Sequence, residues 1–174
     1  EGLEGVDLVG LHANRLLDTS PALAMMQGIH NRAAHNSLKR WIASHDTENT
    51  VYHLHNWSQI LSPAIFAALA DVENRLVVTC HDFFNICPNG GLTDFSRAQP
   101  CNFKPLSLRC LASQCDRRSG LHKMWRVARQ VHLNRLARPV RSKATFTFLH
   151  DRMRTKFEDN GFCAHRMVTI PNPV

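Results

Sequence analysis

Two hydrophobic rhythms alternate along this chain. Ala22, Met26, Ile29 and Ala33 recur at three- and four-residue spacing, and Trp41 continues the same face, which predicts an amphipathic helix. Thr19 and Ser20 suit its N-cap and Pro21 its first turn. Val51-Tyr52-His53-Leu54-His55 is short and β-rich and reads as a strand. Ser62-Pro63 and the apolar stretch to Ala70 predict a second helix. From Arg75 to Thr79 the consecutive Leu76, Val77 and Val78 predict a strand buried on both faces. A helix is predicted over Leu121 to Leu136, with Leu121, Met124, Trp125, Ala128 and Val131 on one face and Lys123 and Arg126 opposite. Ala144 to Leu149 is a third strand and Met167 to Ile170 a fourth. Between them Asp151 to Asn160 is a short helix, with Gly161 as its C′ residue.

Helices alternating with short apolar strands imply βαβ units. The predicted fold is α/β: one Rossmann-like parallel sheet with helices on both faces. Ligands of such sheets gather at the carboxyl ends of the strands. His55-Asn56-Trp57 and His81-Asp82 occupy those ends. Residues 82–119 break the pattern with Pro88, Asn89-Gly90-Gly91, Pro100, Pro105 and four cysteines, and read as a long functional insertion.

Composition narrows the class. The 174 residues suffice for one domain with a core, and 44% apolar with 20% charged content is ordinary for a globular protein. No apolar run approaches the roughly 20 residues that span a bilayer. The first residues are acidic, with neither an initiator Met nor a signal-peptide pattern, and the chain stops abruptly after Ile170-Pro171-Asn172-Pro173-Val174. A fragment cut at both ends is therefore expected. The formal charge of +7 favours anionic partners without choosing among them. Without a secretory signal, the six cysteines point to reduced thiols or a metal site and to a cytoplasmic setting.

Several of these motifs resemble a known family. His53-Leu54-His55-Asn56 with Leu61-Ser62-Pro63, then Val77-Val78-Thr79-Cys80-His81-Asp82-Phe83-Phe84 with Cys87-Pro88, are similar to segments of family 4 glycosyltransferases. Asn160-Gly161-Phe162 and Ile170-Pro171-Asn172-Pro173-Val174 resemble the stretch where the first domain of those enzymes ends. The match runs in the family's order from about Val51 to Val174. It departs from the family upstream, where the first strand and its glycine-rich turn are missing. Phe148-Leu149-His150 stands where a serine is usual, and Pro173 where glycine is usual.

The resemblance implies the N-terminal half of a GT-B fold: the acceptor-binding domain of a retaining glycosyltransferase, inactive without a C-terminal nucleotide-sugar domain absent from this sequence. It implies a nucleotide-sugar donor, a glycan or lipid-linked acceptor, a role in polysaccharide biosynthesis and no cofactor for catalysis. It places His81 near the transferred sugar as the catalytic candidate. An imidazole suits that place because it donates one hydrogen bond and accepts another near neutral pH. The alternative for His81 is a ring bonded to backbone that shapes its loop. Asp82 either binds acceptor hydroxyls or caps the following turn. His55, Asn56 and Trp57 are substrate-binding candidates, with core packing the competing role for Trp57 and a chain turn that for Asn56.

Cys87, Cys101, Cys110 and Cys115 lack the paired spacing of a zinc ribbon. Four thiols in one Pro/Gly-rich loop nevertheless make them candidate ligands of a structural zinc, against free buried thiols or a disulfide. Cys80 and Cys163 read as simply buried. The basic residues Arg117, Arg118, Lys123, Arg126, Arg129, Arg135, Arg138, Arg141 and Lys143 either form a solvated face or rest on an anionic membrane at its inner surface. A zinc-stabilised basic module for nucleic acid is a competing reading. It leaves the α/β pattern unexplained, and one Tyr and three Trp are few for a single-strand binder, so nucleic acid is not expected as a partner. A non-catalytic scaffold domain is a third.

Overall fold

The computed structural model describes residues 5–10, 18 and 20–172. Thr19, Pro173 and Val174 lie outside the described residues. In chain order the elements are α1 (Pro21–Ile29), α2 (Arg32–His45), β1 (Tyr52–Leu54), α3 (Trp57–Ile60), α4 (Ala64–Ala68) and β2 (Leu76–Cys80). They continue with β3 (Thr93–Asp94), β4 (Gln99–Pro100), α5 (Leu108–Ala112), α6 (Gly120–Leu136), α7 (Arg138–Lys143), β5 (Thr145–Phe148), α8 (Asp151–Glu158) and β6 (Met167–Thr169).

The four predicted strands form one parallel sheet in the order β1-β2-β5-β6, flanked by helices in a Rossmann-like arrangement. Its two faces differ. Tyr52, Leu54, Leu76, Val78, Cys80, Phe146, Phe148 and Met167 point to one side and join the hydrophobic core. Strand alternation sends His53, Thr79 and Thr147 to the other side, where His53 is exposed. At the start of the sheet Arg75 grips Asp46 with two nitrogens, at 2.7 and 2.6 Å, while the Tyr52 hydroxyl donates to the same carboxylate at 2.7 Å. Those bonds, led by Arg75, hold Asp46 down at about 2. Burial and then Asp46 push Tyr52 up to about 12.

The first predicted helix is two helices. His30 is extended, with φ −148°, and Asn31 restarts the chain as the N-cap of α2, its side chain accepting from Ala34 N at 3.0 Å. Asn31 N donates in turn to Ser62 Oγ at 2.7 Å, so the break is fixed from outside. Ser20 holds the N-cap position of α1 without a side-chain bond.

A second correction concerns α6. The apolar stripe read as its packing face looks outward: Leu121 is 85% exposed and Met124 57%. Lys123, Val127, Arg129, Gln130 and Leu133 are buried instead. Backbone carbonyls face α6, two from the short helices α1 and α3 and two from the loop after β2. Arg129 donates to Gly28 O at 2.9 Å and Ser58 O at 2.8 Å, Arg126 to Asn89 O at 3.0 Å and Gln130 to Asn85 O at 3.4 Å. Buried carbonyls need donors, and a polar helix face supplies them.

The insertion 82–119 carries little regular structure beyond the β3–β4 hairpin and α5. It begins with a turn in which Gly90 has φ +72°, and a Cβ there would meet the Phe84 ring at 2.6 Å. Both facts demand glycine at that position.

Candidate functional site

β1 and β2 run parallel and end side by side, so the residues beyond them share one edge of the sheet. There His55 Nδ1 lies 3.2 Å from His81 Nε2, and His55 Nε2 lies 3.4 Å from His53 Nδ1. His53 Nε2 meets Thr79 Oγ1 at 2.7 Å, which meets Thr147 Oγ1 at 2.8 Å. The result is a row of five side chains across β1, β2 and β5. Alternation explains its membership: residues 53 and 55, and residues 79 and 81, differ by two and share a face.

A neutral imidazole has one donor and one acceptor nitrogen, and a hydroxyl has both functions. The row can therefore be filled in two ways. Either His81 Nε2–H donates to His55 and every bond runs toward Thr147, or every bond runs back toward His81. Reversal turns the outer nitrogen of His81, Nδ1, from acceptor to donor. That nitrogen has no hydrogen-bond partner among the described residues, and His81 is exposed. Burial, then the neighbouring His53 and His81, hold His55 below its ordinary 6.5, which favours the neutral row.

The other sequence candidates separate by position. Asp82 Oδ1 accepts from Phe84 N at 3.0 Å, so it caps the turn, and burial raises its carboxyl. Asn56 is exposed and left-handed, with φ 44°, at the N-terminus of α3. Trp57 is 4% exposed, with its ring edge-on to Phe66 at 5.2 Å and beneath the Arg129 guanidinium at 5.0 Å. Its place is in the core, and a ring so enclosed has no open face to stack on a sugar. His53, Thr79 and Thr147 were not among the sequence candidates. The period-two spacing of His53 to His55 and of Thr79 to His81 is the signal that exposes them.

A hollow of about 600 Å³ lies at the sheet edge outside β1, lined by Trp41, Tyr52, Leu54, Ile65 and Leu69 among others. It shares only His53 with the row, and its lining is the apolar flank of an edge strand.

The four cysteines of the insertion surround a second, much smaller cavity, of about 10 Å³. Burial pushes the Cys87 and Cys110 thiols up. As placed, no three or more His, Cys, Asp or Glu side chains among the described residues are set to hold a metal ion. Cys80 is buried in β2, and Cys163 is half-buried.

The basic stretch is divided between the interior and the surface. Lys123, Arg126 and Arg129 bond to backbone carbonyls, Arg141 donates to Asn85 O at 2.7 Å, and the exposed Lys143 pairs with Glu73 at 2.6 Å. Arg117, Arg118, Arg135 and Arg138 remain exposed. Among the described residues no helix is long and apolar enough to cross a membrane. Comparison with protein-family models, curated proteins and solved structures finds no match to this chain.

Proposed function

We propose that this chain is the acceptor-binding domain of a retaining glycosyltransferase of the two-domain GT-B type, working with a nucleotide-sugar domain that lies outside these residues. The ordered motifs from Val51 onward support the reading, as does a parallel sheet with its polar residues gathered at the carboxyl edge. The observation that carries it is the exposed His81 at the end of β2, held by the row through His55 and His53.

In the proposed reaction the acceptor hydroxyl oxygen bonds to the anomeric carbon as the bond from that carbon to the donor phosphate breaks. The hydroxyl proton leaves with the phosphate oxygen. His81 presents Nδ1 to the transferred sugar, and its hydrogen bond strengthens as charge develops there. His55 and His53 are positioning residues that fix its ring and tautomer. The acceptor is a glycan or a lipid-linked sugar, and the exposed arginines suit the anionic surface on which a lipid-linked acceptor resides.

The test is sugar transfer by the full-length protein over a panel of nucleotide-sugars, with His81→Ala beside it. The substitution is expected to lower turnover about 100-fold or more while leaving the thermal midpoint nearly unchanged. Failure to bind or consume any nucleotide-sugar would overturn the proposal. Equal loss of fold and turnover would return His81 to a structural role.

A further inference from the structure

Cys87, Cys101, Cys110 and Cys115 come from three separate stretches of the insertion, yet all line one cavity of about 10 Å³. All four are free thiols. Asp116, Lys123 and Arg126 line the same cavity. A hollow of that size is about one water molecule across, enough for a bare ion and too small for a multinuclear cluster.

The charges around it do not balance. Arg126 has a counter-charge, since its Nε lies 3.3 Å from Asp116 Oδ2. Among the described residues that oxygen accepts no aligned hydrogen bond, so the contact is an ion pair alone. Lys123 is only 4% exposed and its ammonium points at the carbonyls of Cys110, Leu111 and Ser113. It has no carboxylate partner among the described residues. Burying an ammonium without a compensating negative charge is unfavourable. Neutral thiols or two disulfides would leave it so.

A fixed turn carries Cys87 to the cavity. The turn Cys87-Pro88-Asn89-Gly90 closes with Gly90 N donating to Cys87 O at 3.0 Å. The Gly90 conformation that permits this turn is closed to other residues by the Phe84 ring.

We infer that Cys87, Cys101, Cys110 and Cys115 bind one structural zinc ion as four thiolates, with Lys123 as the buried counter-cation. Binding releases four protons to solvent and leaves the centre with a charge of −2, half of which Lys123 offsets. The thiols must turn inward to do so: tetrahedral bonds of about 2.3 Å replace their present packing, including the 3.2 Å contact of Cys87 Sγ with Asn89 Oδ1. Four thiolates leave no open position, so the ion cross-links the loop and takes no part in chemistry. This inference stands apart from the glycosyltransferase reading, and each can fail alone.

The experiment is elemental analysis and intact-mass measurement of the full chain, purified without chelator. About one zinc per chain is expected, together with the mass of the fully reduced polypeptide under denaturation. Cobalt substitution should give the visible bands of a tetrahedral tetrathiolate. Lys123→Met should weaken zinc affinity roughly 10- to 100-fold, as loss of an outer-shell partner does, whereas Cys163→Ser should leave the zinc content unchanged. Protein free of zinc that does not take it up, a mass short by two hydrogens per disulfide, or iron in place of zinc would each overturn the assignment. The metal content of the unaltered protein decides the matter even if the variants fail to fold.

Discussion

His55 stands in the middle of the row, between His81 and His53. His55 is held low chiefly by burial, then by the charges its neighbours would carry. His30, whose Nδ1 lies 3.0 Å from His132 Nε2, is held low in the same way, and so is His132. A histidine whose folded value lies below its unfolded 6.5 takes up its proton first in the unfolded chain. Stability therefore falls as pH drops below about 6.5, and keeps falling until the folded values are passed. The thermal midpoint should decline on going from about pH 7.5 to about pH 5, and His55→Asn should make that decline shallower. An unchanged decline in His55→Asn would mean that this ring protonates as easily in the fold as out of it. The carboxylate Asp46 acts at a different pH: its contribution is present above 3.8 and is lost as pH falls toward about 2.

At the scale of elements, α6 shows how a helix can be amphipathic in sequence and packed on its other side. Its inward face meets the carbonyls of Gly28 and Ser58, in the short helices α1 and α3, and of Asn85 and Asn89, in the loop after β2. Guanidinium and amide donors satisfy them where Leu or Met could not. Leu133 remains the apolar anchor at 1% exposure. Leu121→Lys and Met124→Lys should each change stability by no more than about 0.5 kcal/mol. Leu133→Ala should cost about 2–5 kcal/mol. Chemical denaturation of the three variants checks the orientation, and a large loss from Leu121→Lys would show that this stripe is packed.

Across the whole molecule, the sheet and the last helix are joined by aromatic rings. Phe157 of α8 is fully buried, edge-on to Phe148 at 4.7 Å and to Phe162 at 5.0 Å, with Phe83 at 6.2 Å. Gly161, with φ +84°, turns the chain so that Phe162 N returns to Phe157 O at 3.2 Å. That cluster joins the carboxyl end of β5 to the loop after His81. Phe157→Ala should cost about 3–5 kcal/mol, read as a lowered denaturation midpoint. A cost below about 1 kcal/mol would mean that the cluster does not carry the junction.

The strands were legible because burial leaves a local imprint. Leu76-Val77-Val78 is a continuous apolar run, and Tyr52 and Leu54 alternate with histidines. Two such strands in parallel bring His55 and His81 to one edge, so this neighbourhood was also implicit in the chain. Their contact with each other, and the reach of the row to Thr147, depended on register, which no local pattern encodes. The break at His30-Asn31 was decided by Ser62, 31 residues away in sequence. Trp57 reads equally well as a sugar platform or as core until Phe66 and Arg129 close over it. The inversion of α6 was hidden for the same reason. Periodicity reports which residues share a face, while the side that face turns to depends on what the rest of the chain presents, here carbonyl oxygens rather than hydrocarbon.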